Sequence, residues 1–269
     1  MKKYPEISIA AVFQNNAQRL AGKAYAAYYM DGKFNDISWT KMNGMVHNLA
    51  YYLISKGIEK GDKIGIFSPN RYEWHLAALA IHSIGAVDVP IYATNSAQEA
   101  EYILENSDSK LCLVGTKDHL DKVLQVQDRL PLMSGIVAFD EPVMRIEGVI
   151  SLKDALAAGK ARPDAAAFDQ RLNALQPNDL ATLIYTSGTT GNPKGVMLTH
   201  NNFYSNVDNT LFEMKDRKTG KPLLTESDLF LSFLPLSHSL ERTAGFHGAV
   251  YAGAKTAFAR DISTILEDF

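Results

Sequence analysis

Residues 185–200 combine the residue types best suited to hold a polyphosphate, and they read Tyr-Thr-Ser-Gly-Thr-Thr-Gly-Asn-Pro-Lys-Gly-Val-Met-Leu-Thr-His. Glycines at this density let backbone N–H groups approach an anion closely, because no Cβ stands in the way. Hydroxyl side chains add donors, Lys194 adds a compact cation, and no acidic residue interrupts the run. We call residues 186–195 the phosphate loop, since this composition predicts that it binds a triphosphate.

The spacing within the phosphate loop excludes three other functional loops. A Walker A loop requires Ser or Thr after its Gly-Lys pair, but Lys194 precedes Gly195 and Val196 follows. A dinucleotide fingerprint requires a glycine two residues before Gly188, and a nucleophile elbow requires glycines two residues to either side of Ser187. Neither is present. The plain alternative is a flexible Gly/Thr turn, which seldom combines hydroxyls and lysine without an acid.

The phosphate loop resembles, almost residue for residue, the signature loop of the adenylate-forming superfamily. This superfamily includes acyl-CoA synthetases, luciferases and the adenylation domains of peptide synthetases. Residues 233–242, Phe-Leu-Pro-Leu-Ser-His-Ser-Leu-Glu-Arg, are similar to its next motif in the form typical of long-chain fatty acyl-CoA synthetases. We call them the 233–242 block. Residues 253–259, Gly-Ala-Lys-Thr-Ala-Phe-Ala, resemble the segment that follows in that branch, and residues 38–115 are similar in order and spacing.

The resemblance implies roles for individual residues. Thr186 would help to coordinate Mg²⁺, which a triphosphate requires because one lysine cannot balance its charge. His238 would lie near the substrate carboxylate and the α-phosphate, where an imidazole can donate a hydrogen bond to developing charge. The predicted catalytic residues are thus His238, Lys194 and Thr186. The predicted nucleotide-binding residues are Thr186, Ser187, Gly188, Thr189, Thr190, Gly191 and Lys194.

The implied activity is that of a long-chain fatty acid:CoA ligase. A fatty acid and ATP would give acyl-adenylate and pyrophosphate, after which coenzyme A would attack the acyl group and release AMP. Two alternatives stay open: an adenylate-forming ligase for another carboxylic acid, and a non-catalytic nucleotide- or acyl-binding module. The later motifs of the superfamily are missing, including the adenine-binding block, the ribose-binding aspartate and the C-terminal lysine. We therefore expect an N-terminal fragment that is inactive alone; a naturally short protein is the alternative.

Composition restricts the class of protein further. The net charge of −3 gives no basis for a nucleic-acid-binding surface, and 46% hydrophobic residues predict a substantial core. The single cysteine, Cys112, indicates core packing in a reducing compartment. No apolar run reaches the length of a transmembrane helix, so we expect a cytoplasmic protein. Peripheral contact with the inner face of a membrane stays open, because a long-chain substrate partitions into lipid. No pattern bears on the oligomeric state.

Strands and helices alternate along the chain. This order predicts an α/β fold of two packed sub-domains, with largely parallel sheets flanked by helices. We interpret residues 160–178 as a connection, which divides the chain into residues 1–178 and residues 179–269. The phosphate loop and residues 235–242 both follow predicted strands. They are therefore expected to face one crevice at the carboxyl ends of the strands.

Local signals predict several details. Asp31-Gly32 indicates a hairpin turn, Ser96 and Glu99 a capping box, and Asn70 a helix N-cap. His75 and His82 lie seven residues apart on one predicted helix and are expected to pack in the core. For Glu241 and Arg242, a local ion pair and a solvated helix start are equally favoured. Tyr185 is expected to pack rather than to take part in catalysis.

Overall fold

The structure of this 269-residue chain is a computed structural model. It describes residues 3–186, 193–213, 215–216 and 218–268. The helices are α1 (Ile9–Arg19), α2 (Trp39–Ser55), α3 (Tyr72–Ser83), α4 (Ala97–Asn106), α5 (Lys117–Leu124), α6 (Leu152–Ala161), α7 (Ala165–Asn173), α8 (His200–Glu213), α9 (Gly248–Ala252) and α10 (Ile265–Asp268). A π-helix spans Glu241–His247, and 3₁₀ turns span Gln127–Arg129 and Ile262–Thr264.

The strands form two sheets. They are β1 (Ala24–Met30), β2 (Lys33–Ser38), β3 (Lys63–Phe67), β4 (Val87–Ile91), β5 (Ser109–Val114), β6 (Ile136–Ala138), β7 (Val149–Ser151), β8 (Leu180–Thr186), β9 (Lys194–Thr199), β10 (Leu229–Ser232) and β11 (Lys255–Phe258). The larger sheet has the order β7-β6-β5-β3-β4-β8-β9, and the smaller one β10-β11-β1-β2. Among the strand pairs of the described residues in these two sheets, only the edge pairs β8–β9 and β1–β2 are antiparallel. This arrangement confirms the expected, largely parallel α/β fold.

Alternate residues of the central strands face two hydrophobic cores. Leu111 and Leu113 of β5 belong to the core under α1, α2 and α3. Cys112 and Val114 belong to the opposite core, under α4 and α5. Helices therefore cover both faces of the larger sheet, as parallel strands require. Cys112 is fully buried, as expected, and burial raises the pKa of its thiol to about 12.

Each sheet combines strands from both sides of residue 178. β8 and β9 extend the sheet that begins with β3, while β1 and β2 pair into the sheet of β10 and β11. The division into residues 1–178 and 179–269 stays a prediction. Among the helices of the described residues, none has both the length and the hydropathy needed to cross a bilayer.

Strong local signals were interpreted correctly. Asp31 and Gly32 both adopt positive φ, at 53° and 79°, which is the backbone of a type I′ hairpin turn between β1 and β2. Ser96 and Glu99 form the expected capping box at the start of α4. In both cases the residues that determine the conformation lie within a few positions of one another.

Two local predictions were wrong. Residues 160–178 are not a plain connection, because α7 lies within them; Asp164 caps it and Phe168 and Leu172 are buried. Asn70 does not cap α3, whose N-cap position is Arg71. The side chain of Asn70 is instead bonded to residues 232–236, more than 160 positions away.

Candidate active site

The phosphate loop connects two antiparallel strands at the edge of the larger sheet. Thr186 is the last residue of β8, Lys194 is the first of β9, and the two are paired directly in the ladder. Both side chains are exposed. The structure thus brings these two predicted site residues together at the base of the loop. The other predicted nucleotide-binding residues, Ser187, Gly188, Thr189, Thr190 and Gly191, lie outside the described residues.

Packing around Tyr185 holds the base of this loop. The Tyr185 hydroxyl donates to Asn106 Oδ1 at 2.7 Å, and burial raises its pKa to about 12. On the opposite strand, a Cβ at Gly195 would lie 3.1 Å from the Tyr185 ring, so glycine lets the ring lie against β9. Tyr102 donates to the carbonyl of Pro193 at 3.1 Å. Tyr185 therefore packs, as the sequence predicted.

The 233–242 block follows β10 and is held by Asn70. Asn70 Nδ2 donates to the carbonyl of Leu234 at 2.6 Å and to Ser232 Oγ at 3.0 Å. The backbone N–H of Leu236 donates to Asn70 Oδ1 at 2.9 Å. One amide side chain therefore fixes the backbone where the strand turns into the block. Sequence reasoning missed this role, because an Asn before a helix is a familiar N-cap.

His238 is exposed beyond this turn. Its Nδ1 accepts the backbone N–H of Leu240 at 3.2 Å. With Nδ1 acting as an acceptor, the neutral ring carries its proton on Nε2. The side chain therefore presents an N–H donor to solvent, which is the group that a developing negative charge requires.

Arg242, at the end of the block, is fully buried, so both sequence interpretations of Glu241 and Arg242 were wrong. Its guanidinium donates from Nη1 to Asp88 Oδ2 at 2.7 Å and from Nη2 to Asp88 Oδ1 at 2.9 Å. Thr182 Oγ1 accepts a further bond from Nη1 at 3.1 Å. His82, expected only to pack, has its Nε2 2.5 Å from Asp88 Oδ1. The sequence signal that could have indicated this cluster is Asp88, a lone acid in the otherwise apolar strand β4, because a buried carboxylate needs a partner.

The electrostatics of this cluster follow from burial and pairing. Burial acts to raise the pKa of Asp88, but the charge of Arg242 and the bond from His82 lower it below its usual range. For Glu241, burial raises the pKa above the ordinary value, although a hydrogen bond to Ser232 acts to lower it. Arg242 and Asp88 are therefore both ionised and neutralise each other.

Two cavities border the block. The first has a volume of about 210 Å³ and lies where β3, β4, β10 and β11 end, with Asn70, Ser232 and Ser237 in its wall. The second has about 800 Å³ and is lined mainly by apolar side chains of α8, β10 and the π-helix. Ser239 and Leu240, the two residues after His238, belong to its wall. This apolar cavity, whose wall includes the two residues that follow His238 in the chain, is large enough for a small-molecule substrate.

The family described as AMP-binding enzyme matches residues 13–268. The long-chain-fatty-acid–CoA ligase FadD15 of Mycobacterium bovis is 36% identical over 242 residues, which cover 88% of this chain and 37% of that protein. The long-chain-fatty-acid–CoA ligase ACSBG2 of Xenopus laevis is 32% identical over 260 residues, covering 95% of this chain and 34% of that protein. The chain spans about a third of the length of these curated relatives.

Solved structures are similar in fold. A Mycobacterium tuberculosis fatty acyl CoA synthetase matches with a TM-score of 0.77 at 20% identity, over 97% of this chain and 47% of that one. The anthranilate CoA ligase AuaEII, in complex with anthranoyl-AMP, matches with a TM-score of 0.79 at 20% identity, over 97% of this chain and 46% of that one. At these identities the likeness establishes the fold.

The buried histidine His200, whose ring centre lies 5.4 Å from that of His82, predicts a pH-dependent stability. Burial lowers the pKa of His200 to about 3, below the value of about 6.5 in the unfolded chain. Between these two pKa values the unfolded state binds more protons than the folded state. The contribution of His200 to the free energy of unfolding is therefore fully present above the unfolded pKa and is lost as the pH decreases below it. The wild-type protein should lose free energy of unfolding when the pH is lowered from about 7 to about 5. Urea denaturation should show that His200→Gln makes this loss smaller by about 2 kcal/mol.

The matched control is Asn206→Gln on the same helix, which alters size without removing an ionisable group and should keep the wild-type pH dependence. An unchanged loss of stability in His200→Gln would contradict the prediction.

Proposed function

The chain belongs to the family of AMP-binding enzymes, and on that premise we propose that it is the N-terminal part of a long-chain fatty acid:CoA ligase. The observation that carries the long-chain assignment is the apolar cavity of about 800 Å³, whose wall includes Ser239 and Leu240 of the 233–242 block. A hydrocarbon chain is stabilised there by removal of apolar surface from water. The relatives at 36% and 32% identity are long-chain-fatty-acid–CoA ligases, which supports the same substrate class.

The nucleotide would bind at the phosphate loop. Lys194 supplies a cation and Thr186 a hydroxyl oxygen, and their direct pairing across β8 and β9 supports a common target. A hydroxyl oxygen suits Mg²⁺, which usually keeps several waters and is held largely by substrate phosphates. When bound, Mg²⁺ supplies charge neutralisation to the leaving pyrophosphate. The proposed nucleotide-binding set remains Thr186, Ser187, Gly188, Thr189, Thr190, Gly191 and Lys194.

His238 would act where the two substrates meet. As the fatty acid carboxylate attacks the α-phosphorus, negative charge develops on the phosphate oxygens. The Nε2–H of His238 can donate to that charge without prior rearrangement, because Nδ1 is already occupied by the N–H of Leu240. The acyl chain would meanwhile lie in the cavity that begins at Ser239. Attack of coenzyme A on the acyl-adenylate is the proposed second half-reaction.

Two other functions remain distinguishable by experiment. A ligase for a short-chain or aryl acid would not need the apolar cavity. A non-catalytic nucleotide- or acyl-binding module would bind ATP or an acyl group without forming acyl-adenylate. Peripheral membrane contact stays a prediction of the sequence.

Loss of the proposed phosphate-binding cation should slow adenylation. In the full-length enzyme, Lys194→Ala should reduce transition-state stabilisation by about 2–4 kcal/mol, as expected for one charged catalytic contact. The measurement is pyrophosphate release with palmitate and ATP. Lys33→Ala, which removes an exposed lysine from β2, is the control and should keep the wild-type rate. A Lys194→Ala effect below about tenfold would favour a plain turn over a catalytic loop.

Filling the apolar cavity should shorten the preferred substrate. Ala244 is exposed and lines this cavity, so Ala244→Phe adds bulk without removing a buried side chain. We expect kcat/KM for palmitate to fall about tenfold or more relative to that for butyrate. The same substitution at the exposed Ala161, at the end of α6, should leave the ratio unchanged. Equal losses for both acids with Ala244→Phe, or a wild-type preference for acetate or benzoate, would refute the long-chain assignment.

The 269-residue chain itself should form no acyl-CoA from ATP, palmitate and coenzyme A, because the later motifs of the family are absent from it. Mass spectrometry of the reaction mixture provides the measurement, with the full-length enzyme as the positive control. Robust acyl-CoA formation by this chain alone would overturn the expectation. Binding of ATP without turnover by the full-length protein would support the non-catalytic module instead.

A further inference from the structure

We propose that Asp88, acting through Arg242 and Thr182, is a positioning residue for His238. The buried ion pair fixes the start of the helix that follows His238, and thereby the direction of the Nε2–H. The inference rests on the proposed function, since it assigns the pair a part in the same adenylation step.

Stability alone does not account for a pair of this kind. Asp88 and Arg242 are both 0% exposed. Desolvating two charges offsets most of their attraction, so apolar residues of similar volume often stabilise a core equally well. What an ion pair adds is direction, because the two parallel bonds from the guanidinium to the carboxylate allow one relative orientation. Arg242 is confined further by Trp74 and Phe203, whose ring centres lie 5.0 and 5.3 Å from its guanidinium carbon.

A short path leads from this pair to the imidazole. The backbone N–H of Arg242 donates to the carbonyl of His238 at 3.2 Å. Thr243 Oγ1 donates to the carbonyl of Ser239 at 2.8 Å, and the N–H of Leu240 donates to His238 Nδ1. The π-helix begins at Glu241, within this turn. Moving Arg242 would therefore move the backbone groups that orient the His238 ring.

The same pair is tied to the strand of the phosphate loop. Thr182 accepts from Arg242 Nη1 at 3.1 Å, and its hydroxyl is 3.0 Å from Asp88 Oδ2. Thr182 and Thr186 lie four positions apart on β8, so their side chains project to the same face of the strand. Asp88 lies on the adjacent strand β4, opposite Thr182 in the ladder. The cluster thus joins the elements that carry Thr186 and His238 into one rigid unit.

The test uses Thr182→Val in the full-length enzyme, because valine keeps the shape and removes the hydroxyl. We expect kcat for acyl-adenylate formation to fall about tenfold, with KM for ATP changed less than about twofold, since geometry rather than binding is disturbed. Arg242→Lys keeps the charge but loses the two-pronged contact, so a similar fall is expected. Ser109→Ala is the matched control; it removes a buried strand hydroxyl, bonded to Ser107 Oγ at 2.7 Å, and should leave kcat unchanged.

A double-mutant cycle separates positioning from a purely structural role. In a His238→Ala background, Thr182→Val should cause no further loss, because no imidazole remains to be oriented. Equal fractional losses with and without His238, or wild-type kcat in both Thr182→Val and Arg242→Lys, would overturn the inference while leaving the proposed function intact. A wild-type enzyme that forms no acyl-adenylate would instead refute the proposed function and this inference with it.

Discussion

The ion pair between Asp88 and Arg242 is the contact on which the arrangement of the site depends. It lies in the interior, where β4, β8, α3 and the π-helix meet, and each of these elements contributes a bonded or packed residue. Arg242 is 154 positions from Asp88 along the chain. Elements distant in sequence therefore meet at one charged contact, which requires a single relative orientation because its bonds are directional.

The 233–242 block borders two cavities of different character. The apolar cavity is lined by Leu198 of β9 and Phe230 of β10, which belong to the edge strands of the two sheets. The smaller, more polar cavity lies at the carboxyl ends of the strands, the usual ligand-binding edge of an open α/β sheet. Under the proposed function, the hydrocarbon chain would lie in the apolar cavity and the reacting groups would meet at the 233–242 block, which borders both cavities.

The features that could be predicted from the sequence are those that neighbouring residues determine. The hairpin at Asp31-Gly32 and the capping box at Ser96 follow from backbone preferences and neighbouring side chains, and the alternation of elements indicated a largely parallel α/β fold. The structure pairs Thr186 with Lys194 at the base of the phosphate loop, and the roles of these two residues stay predictions. The bonds of Asn70 and of Arg242 could not be predicted from the sequence, because their partners lie far away in the chain and local propensity assigned each residue a plausible local role. An unpaired acid at Asp88 was the one sequence signal for this buried cluster.

The charge balance of the cluster explains why His75 and His247 stay neutral. Burial lowers the pKa values of His75 and His247 well below their ordinary range, and the cation of Arg242 lowers them further. Asp88 already neutralises Arg242, so a protonated imidazole in this core would be a buried charge without a counterion. Neutral rings can instead pack as aromatic groups, as His75 does against Phe246 of the π-helix, with ring centres 3.9 Å apart. Because the charge of Asp88 is already matched by Arg242, His75 supports the π-helix through packing, while the directional bonds of the ion pair orient that helix.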